Sequence, residues 1–350
     1  MSVHYPRAST TITGHKSVRE ALRATDIYSS DLQGDADVRD YRQLPLEVDP
    51  PRHHLYRVAL APYFVKPSIE KFVPEFRAHA DNLLKKFFAT DSQDVGAQLS
   101  LPLVMQNLGV IYRRPQDVAE WMSWGPDVWT AASEKRDGKV LHDYLDLIYA
   151  EAMQGNSDDV WSEIAHLEIE GKQISAAEFR GIAGVMLAGG RDTVVKLFNG
   201  IMWHFGKHPE DLDLLRAQPE LMSAVIQEFL RFLTPLPVMN RTTVPETGAE
   251  NLPDDRYVGI SFISGNFDES VFTDPFTIDF NRGRNPHLSF GFGPHTCLGN
   301  HIAEIEARVF LEALMESGLQ WKIVKEEIRF HGGEFASVPD HFASLHIAKI

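Results

Sequence analysis

The sequence predicts a mainly helical protein with a minor β-sheet, in one domain spanning residues 1–350, and three observations carry that expectation. Apolar residues recur at helical spacing, as at Ile69, Phe72, Val73, Phe76, Leu83, Leu84 and Phe87. Short β-prone runs, RTTV and RYVGISFI, gather between residues 240 and 280 among Gly, Pro, Asn and Asp. No Gly/Ser-rich or Pro-rich linker divides the chain, and 350 residues with 43% hydrophobic content can bury one large core.

In chain order, Thr10 to Thr13 reads as a strand, and HKSVREALRA has helical spacing at Val18, Ala21 and Leu22. Residues 26–48 show no period and are rich in acidic and turn-forming residues, which predicts a long connection of the kind that covers ligands. Pro67 to Ala89 is expected to form one amphipathic helix, and the middle of the chain is similarly helical. A long helix should open at Ser175, where SAAE is a capping box with Glu178, and run to about His208 before Pro209. Its roughly 32 residues, at about 1.5 Å each, would cross a whole domain. DLDLLRAQ and PELMSAVIQEFLRFL follow as two helices, the second ended by Pro235. A last long helix starts near Leu298, and no repeat or low-complexity tract is present.

Composition excludes several classes of function. A formal net charge of −15 opposes non-specific nucleic-acid binding. The single cysteine, Cys297, excludes an intrachain disulfide and any multi-cysteine zinc or iron–sulfur site, and fits a reducing cytoplasm. MSVHYPRASTTITGHKSV lacks the apolar region of a signal peptide, and the longest apolar stretches fall short of the roughly 20 residues of a membrane span. A cytoplasmic protein without membrane attachment is the expectation.

Four strings carry chemistry. In SFGFGPHTCLGNHIAEIEARVFLEALMES a glycine-punctuated loop delivers Cys297 to the start of an amphipathic helix, where backbone N–H groups and the helix dipole favour a thiolate. Gly291 and Gly293 permit a tight course, and Gly299 removes a Cβ from the approach to a flat ligand. LAGGRDTVV sets two glycines, a charge pair and Thr193 inside an apolar helix. Glu228 and Arg231 stand three apart on one helical face, and DPPRHHLYRVALAPYF groups His and Arg near a turn. Taken singly, a lone cysteine is more often a buried apolar residue, the glycines a kink, and the Glu–Arg pair a solvated one.

Together and in this order the strings resemble the bacterial cytochrome P450 family, over roughly residues 10–348. The haem signature F-x-x-G-x-H-x-C-x-G is matched at Phe290, Gly293, His295, Cys297 and Gly299, and the oxygen-binding pattern at Gly189, Gly190, Asp192 and Thr193. The resemblance implies haem b between the long helix and the Cys loop, with Cys297 as the axial iron ligand. It implies proton relay to O2 by Thr193 and Asp192, and a structural pair, Glu228 and Arg231, locked to Arg282. His53 and Arg57 would bind a propionate, His54 competing but the spacing to Arg57 selecting His53; Arg241, His287 and His295 match further propionate positions. Val185, Met186 and Gly189, Leu236 to Met239 with Val238 between, and Phe335 to Val338 would face a hydrophobic substrate.

The activity so implied is insertion of one atom of O2 into a C–H bond or double bond. Electrons would come from NAD(P)H through a separate reductase and ferredoxin, because no dinucleotide fingerprint follows a predicted strand. A ferredoxin would dock on the cysteine side, with Arg52, Lys66, Arg284 and Arg308 as outward cations. A peroxide-driven peroxygenase and a haem sensor or carrier are the alternatives; Asp192 and Thr193 favour O2 chemistry. Three departures from the family stand out. The chain starts almost at the first strand, without the usual N-terminal helix region; Phe267 replaces a usual Arg; and Val194 replaces a common Thr or Ser.

Overall fold

The computed structural model describes residues 10–31, 41–124, 139–155, 158–244 and 257–350. Residues 32–40 of the long connection, and residues 1–9 of the N-terminal stretch read for a signal, lie outside it. The first half holds α1 (His15–Arg23), α2 (Arg52–Leu60), α3 (Lys66–Glu70), α4 (Val73–Phe87), α5 (Leu101–Ile111), α6 (Val118–Ser123), α7 (Lys139–Met153) and α8 (Val160–Ala165). Then come α9 (Ala176–Gly189), α10 (Asp192–Lys207), α11 (Pro209–Ala217), α12 (Met222–Leu233), α13 (Phe262–Asn266) and α14 (Asn300–Ser317).

Three small sheets complete the fold. β1 (Thr10–Ile12) runs parallel to β7 (Tyr257–Ser261), which pairs antiparallel with β6 (Val238–Thr243), and β6 with β2 (Tyr28–Ser29). β8 (Trp321–Phe330) and β9 (Pro339–Lys349) form a long hairpin joined by β3 (Gln93–Asp94), and β4 (Glu168–Ile169) pairs with β5 (Lys172–Gln173).

Two expected helices are divided. Between Pro67 and Ala89 the chain turns at Lys71–Phe72, and α4 restarts with Pro74 in its first turn, where the missing N–H costs nothing. The helix from Ser175 has the expected capping box: the Ser175 hydroxyl accepts from Glu178 N–H, and the Glu178 carboxylate accepts from Ser175 N–H at 2.8 Å. It ends at Gly189, and α10 begins at Asp192. Two successive glycines weaken helix propagation enough for the run to part rather than bend. RYVGISFI is also shorter as a strand than expected, because the Ser261 hydroxyl caps α13 by accepting from Ser264 N–H.

Most apolar side chains join one core, in which Phe198 of α10 stacks on Phe310 of α14 at 4.5 Å. A second cluster, Val18, Ala21, Leu22, Val258, Ile260, Phe262 and Leu288, joins α1 to β7 and to the segment before the cysteine. Phe292 packs on this cluster, so α1 and β7 form the bed of the Cys loop.

Candidate active site

Backbone conformation sets the Cys loop. Gly291 and Gly293 have φ of 67° and 74°, and a Cβ at Gly293 would stand 3.0 Å from the Leu22 carbonyl oxygen, so only glycine fits there. Cys297 N–H donates to the Phe290 carbonyl at 2.8 Å and closes the loop. Cys297 precedes α14 by three residues rather than starting it. Its side chain is exposed, yet protein surrounds it closely enough for burial to raise the thiol, against the Gly299 amide and Arg57. Both facts hold for a sulfur on an inward-facing wall. Burial therefore opposes the thiolate that sequence reasoning expected, and a bound cation would supply the missing counter-charge.

At the α9–α10 break, Gly189 is exposed and a Cβ there would meet no atom within 4 Å. The Thr193 hydroxyl donates to the Gly189 carbonyl at 3.0 Å, across the gap between the helices. Asp192 is paired with the guanidinium of its neighbour Arg191.

A set of cations and imidazoles lies together near the loop. The rings of His53 and His295 are 3.9 Å apart between centroids, Arg57 donates to the Thr296 carbonyl at 2.6 Å, and His295 Nε2 is 3.0 Å from the Ser30 hydroxyl. Arg241 is 4% exposed and its guanidinium donates to the Asn240 carbonyl at 3.0 Å. His53 Nε2 is buried with no partner, whereas His54 is exposed, so of the two it is His53 that stands within the set. Burial holds His53 down to about 4 and His295 to about 2, with Arg57 and Arg241 adding repulsion to both. Burial likewise lowers Arg241 to about 10, the nearby Asp49 opposing it. Asp49 already accepts from the Ser29 hydroxyl and from Ser30 N–H. What the set lacks is anionic charge.

His287 is a correction. It was expected at the propionates, but its Nδ1 accepts from Ser289 N–H at 3.2 Å and its Nε2 faces Gln227 Oε1 at 2.7 Å, with Arg231 and Glu228 as its charged neighbours. The backbone turns there so that this ring supports α12 from behind, while the ring eight residues on joins the cations.

Glu228 and Arg231 are both 0% exposed. Arg231 donates to both Glu228 oxygens at 2.8 and 2.9 Å and to the carbonyls of Asn266, Pro275 and Thr277. Glu228 also accepts from Arg282 at 3.1 Å, from Asp279 N–H and from Asn285. Burial alone would raise Glu228, but these donors hold it below the usual carboxylate range.

The expected substrate-facing residues divide. Leu236 and Met239 pack on the small cluster beside the Cys loop, and Val238 is 41% exposed. Phe335 lies against Phe267 and Phe276 at 5.7 and 6.4 Å. Val185 is half-buried, but Met186 borders a separate cleft of about 240 Å³ with Tyr63, Tyr112 and Glu163. Ser30 and Asp49 were missed; Asp49 stood in the quoted DPP string, while Ser30 lies in a run with no pattern to mark it.

Among the described residues no three His, Cys, Asp or Glu side chains converge to hold a metal. A lone thiol can then ligate only a metal that arrives with its own equatorial ligands. Cys297, the open side of Gly189 and a buried set in which Arg57 and Arg241 outnumber Asp49 fit an iron porphyrin: Cys297 would hold the iron, and the cations would take its carboxylates. These features define a haem-thiolate protein.

Comparison with known proteins agrees. The family model described as Cytochrome P450 matches residues 187–329. Cyclomarin C epoxidase CymV of Salinispora arenicola is 30% identical over 284 residues, 77% of this chain and 72% of that protein. Linalool 8-monooxygenase of Pseudomonas putida is 26% identical, over 81% and 73% of the two chains. A solved carbohydrate-active P450 superposes with a TM-score of 0.88 at 27% identity, covering 96% of this chain and 91% of that one. The chain belongs to the cytochrome P450 family and is, as an enzyme, an oxidoreductase of the monooxygenase class. No helix among the described residues is long and apolar enough to cross a membrane.

Proposed function

We propose that this chain holds haem b through Cys297 and inserts one atom of O2 into a C–H or double bond of an organic substrate, with electrons from NAD(P)H delivered by a ferredoxin and its reductase. The buried, anion-short set of His53, Arg57, Arg241 and His295 beside the inward Cys297 carries this reading. When bound, the haem supplies dioxygen activation. Cys297 would hold the iron and donate electron density to it, with the Gly299 amide tempering the sulfur's charge. Gly189 leaves open space at the helix break, and Thr193, anchored to the Gly189 carbonyl, and Asp192 would hold and pass protons at that opening. Glu228, Arg231 and Arg282 fix the backbone beneath the Cys loop.

The relatives' names place their substrates among a cyclomarin, linalool and carbohydrates, so similarity alone selects no substrate for this chain. The ferredoxin's place follows from charge. Arg52 is paired with Glu178 and Glu170, Arg308 with Glu70 and Glu312, and Lys66 with Glu70, which leaves the exposed Arg284 of the four expected docking cations. Arg19 and Arg23 of α1 instead flank the Phe292 ring of the Cys loop at 4.1 and 4.6 Å, with no carboxylate within 4 Å among the described residues. This is the patch for an acidic donor.

The decisive measurement is the reduced, CO-bound spectrum, where wild type should show the red-shifted Soret band of a thiolate-ligated haem and Cys297→Ser should lose it. Retention of the band in Cys297→Ser overturns the assignment. Oxygenated product formed with hydrogen peroxide, but with no ferredoxin, would assign the chain as a peroxygenase instead.

A further inference from the structure

Lys196 is an unusual residue to find inside this protein. It lies three residues beyond Thr193 on α10, about 4.5 Å further along the helix axis, and is only 9% exposed. Its ammonium donates to the Thr234 carbonyl at 3.4 Å, and among the described residues no carboxylate lies within 4 Å. That leaves an ammonium with three N–H groups holding one long bond. Burial lowers Lys196 to about 8, so at pH 7 it remains mostly charged.

The surroundings repeat the deficit. His331, at the end of the β8–β9 hairpin, has a buried Nε2 without a hydrogen-bond partner. Among the described residues Asp340 is the one carboxylate that acts on both groups, but it is 3.7 Å from His331 Nε2 and is held by Arg329 at 2.7 Å. Burial lowers His331, with Lys196 and Arg329 adding to it and Asp340 opposing. Lys196 and Arg329 against Asp340 leave one uncompensated positive charge.

Three chain segments meet at this point: α10, the turn after α12 that leads into Pro235–Met239, and the hairpin whose loop contains Phe335 to Val338. His331 N–H donates to the Val338 carbonyl at 3.0 Å and ties the cluster to that loop. The last two contain stretches, Leu236 to Met239 and Phe335 to Val338, that the P450 resemblance assigns to the substrate, and α10 follows the helix that carries Val185, Met186 and Gly189.

We infer that Lys196 and His331 form a subsite for a carboxylate on the substrate, the rest of the molecule lying along α10 toward Thr193 and Gly189. The inference rests on the monooxygenase reading and refines it: the substrate is an amphipathic or sugar acid rather than a plain hydrocarbon. A carboxylate would take the unused Lys196 donors and an Nε2–H of His331 in charge-assisted bonds. Without one, an ammonium stays buried with only a carbonyl for company, which folding does not favour.

The test uses holoprotein at pH 7 with three acids, dodecanoate, 4-phenylbutanoate and glucuronate, each beside its methyl ester. Binding is read from the haem optical shift and, independently of the haem, from the thermal unfolding midpoint. In wild type at least one acid should bind tenfold or more tightly than its ester and raise the midpoint. In Lys196→Met, which keeps the stem and removes the charge, the ratio should fall to about one with ester affinity unchanged. His331→Leu, on the hairpin, should reduce the ratio about threefold and serves where Lys196→Met does not fold. Acids and esters binding alike, no acid binding, or a preference that survives both variants overturns the subsite. The CO spectrum of the same preparation separates the failures: a thiolate band without acid preference rejects the subsite alone, and absence of the band rejects the monooxygenase reading.

Discussion

Arg241 is a guanidinium at 4% exposure with its own neighbour's carbonyl as a hydrogen-bond acceptor, and burial has pulled it to about 10. In the protein without haem such a residue is a liability, since a buried charge without a partner opposes folding. With haem bound, the proposed function gives the same charge a propionate to meet, in a bond worth about 1.5–3 kcal/mol. The two effects have opposite signs. Arg241→Leu should raise the unfolding midpoint of the haem-free protein and weaken haem affinity by about 10- to 100-fold, measured by haem transfer to apomyoglobin; equal effects on both states would remove Arg241 from the propionate set. At this scale the sequence was legible where spacing is fixed by a short motif. His295, two residues before Cys297, and His53, four before Arg57, stand with the cations. His287 does not, because the turn at Leu288–Gly291, closed by Gly291 N–H on the Leu288 carbonyl, reverses the chain between the two histidines. A side chain's direction after a turn is not written in its spacing from a motif.

Elements were readable by their starts more than by their ends. The capping box opened α9 at Ser175 as expected, because that signal is local. The division into α9 and α10 depends on what the glycines meet: open space at Gly189, and Leu108 Cδ2 at 3.1 Å from a Cβ at Gly190. That contact comes from α5, far away in sequence. The same holds for α12. Glu228 and Arg231 three apart are ordinary in any helix; what makes the pair structural is Arg282, Asn285 and the carbonyls of Asn266, Pro275 and Thr277 closing around it. Truncating either partner leaves the other buried and charged, so Glu228→Ala or Arg231→Ala should cost about 3–5 kcal/mol and lower the yield of holoprotein. Arg231→Lys should fail nearly as badly, since an ammonium cannot present the planar fork that serves five acceptors. Chemical denaturation of each purified variant checks this, and wild-type stability in Arg231→Lys would show that the carbonyl contacts contribute little.

For the whole molecule the governing quantity is charge. A net −15 repels an acidic ferredoxin at long range, so productive encounter needs a local positive field at the face nearest the iron. Composition revealed the repulsion, but it could not show which cations remain free, because pairing is a tertiary fact: Arg52 reaches across to Glu178 at the start of α9, and Arg308 to Glu70 on α3. Arg19 and Arg23 sit one helical turn apart on α1, whose C-terminal end carries the Leu22 carbonyl that Gly293 packs against. Their guanidiniums cover Phe292 in the Cys loop itself, so charge there acts within a few ångströms of the ligand loop. At about 0.1 M salt, charges beyond roughly 10 Å are screened, and a patch confined to one loop gives a steep fall of association rate with ionic strength. First-electron transfer from an acidic ferredoxin, followed by stopped flow over a salt series, should therefore slow at least tenfold in Arg19→Glu/Arg23→Glu at low salt and converge on wild type at high salt. Arg52→Glu should leave the rate within about twofold, because Arg52 is already engaged by two carboxylates. A rate that responds to Arg52→Glu but not to reversal of the α1 pair would move the donor away from α1.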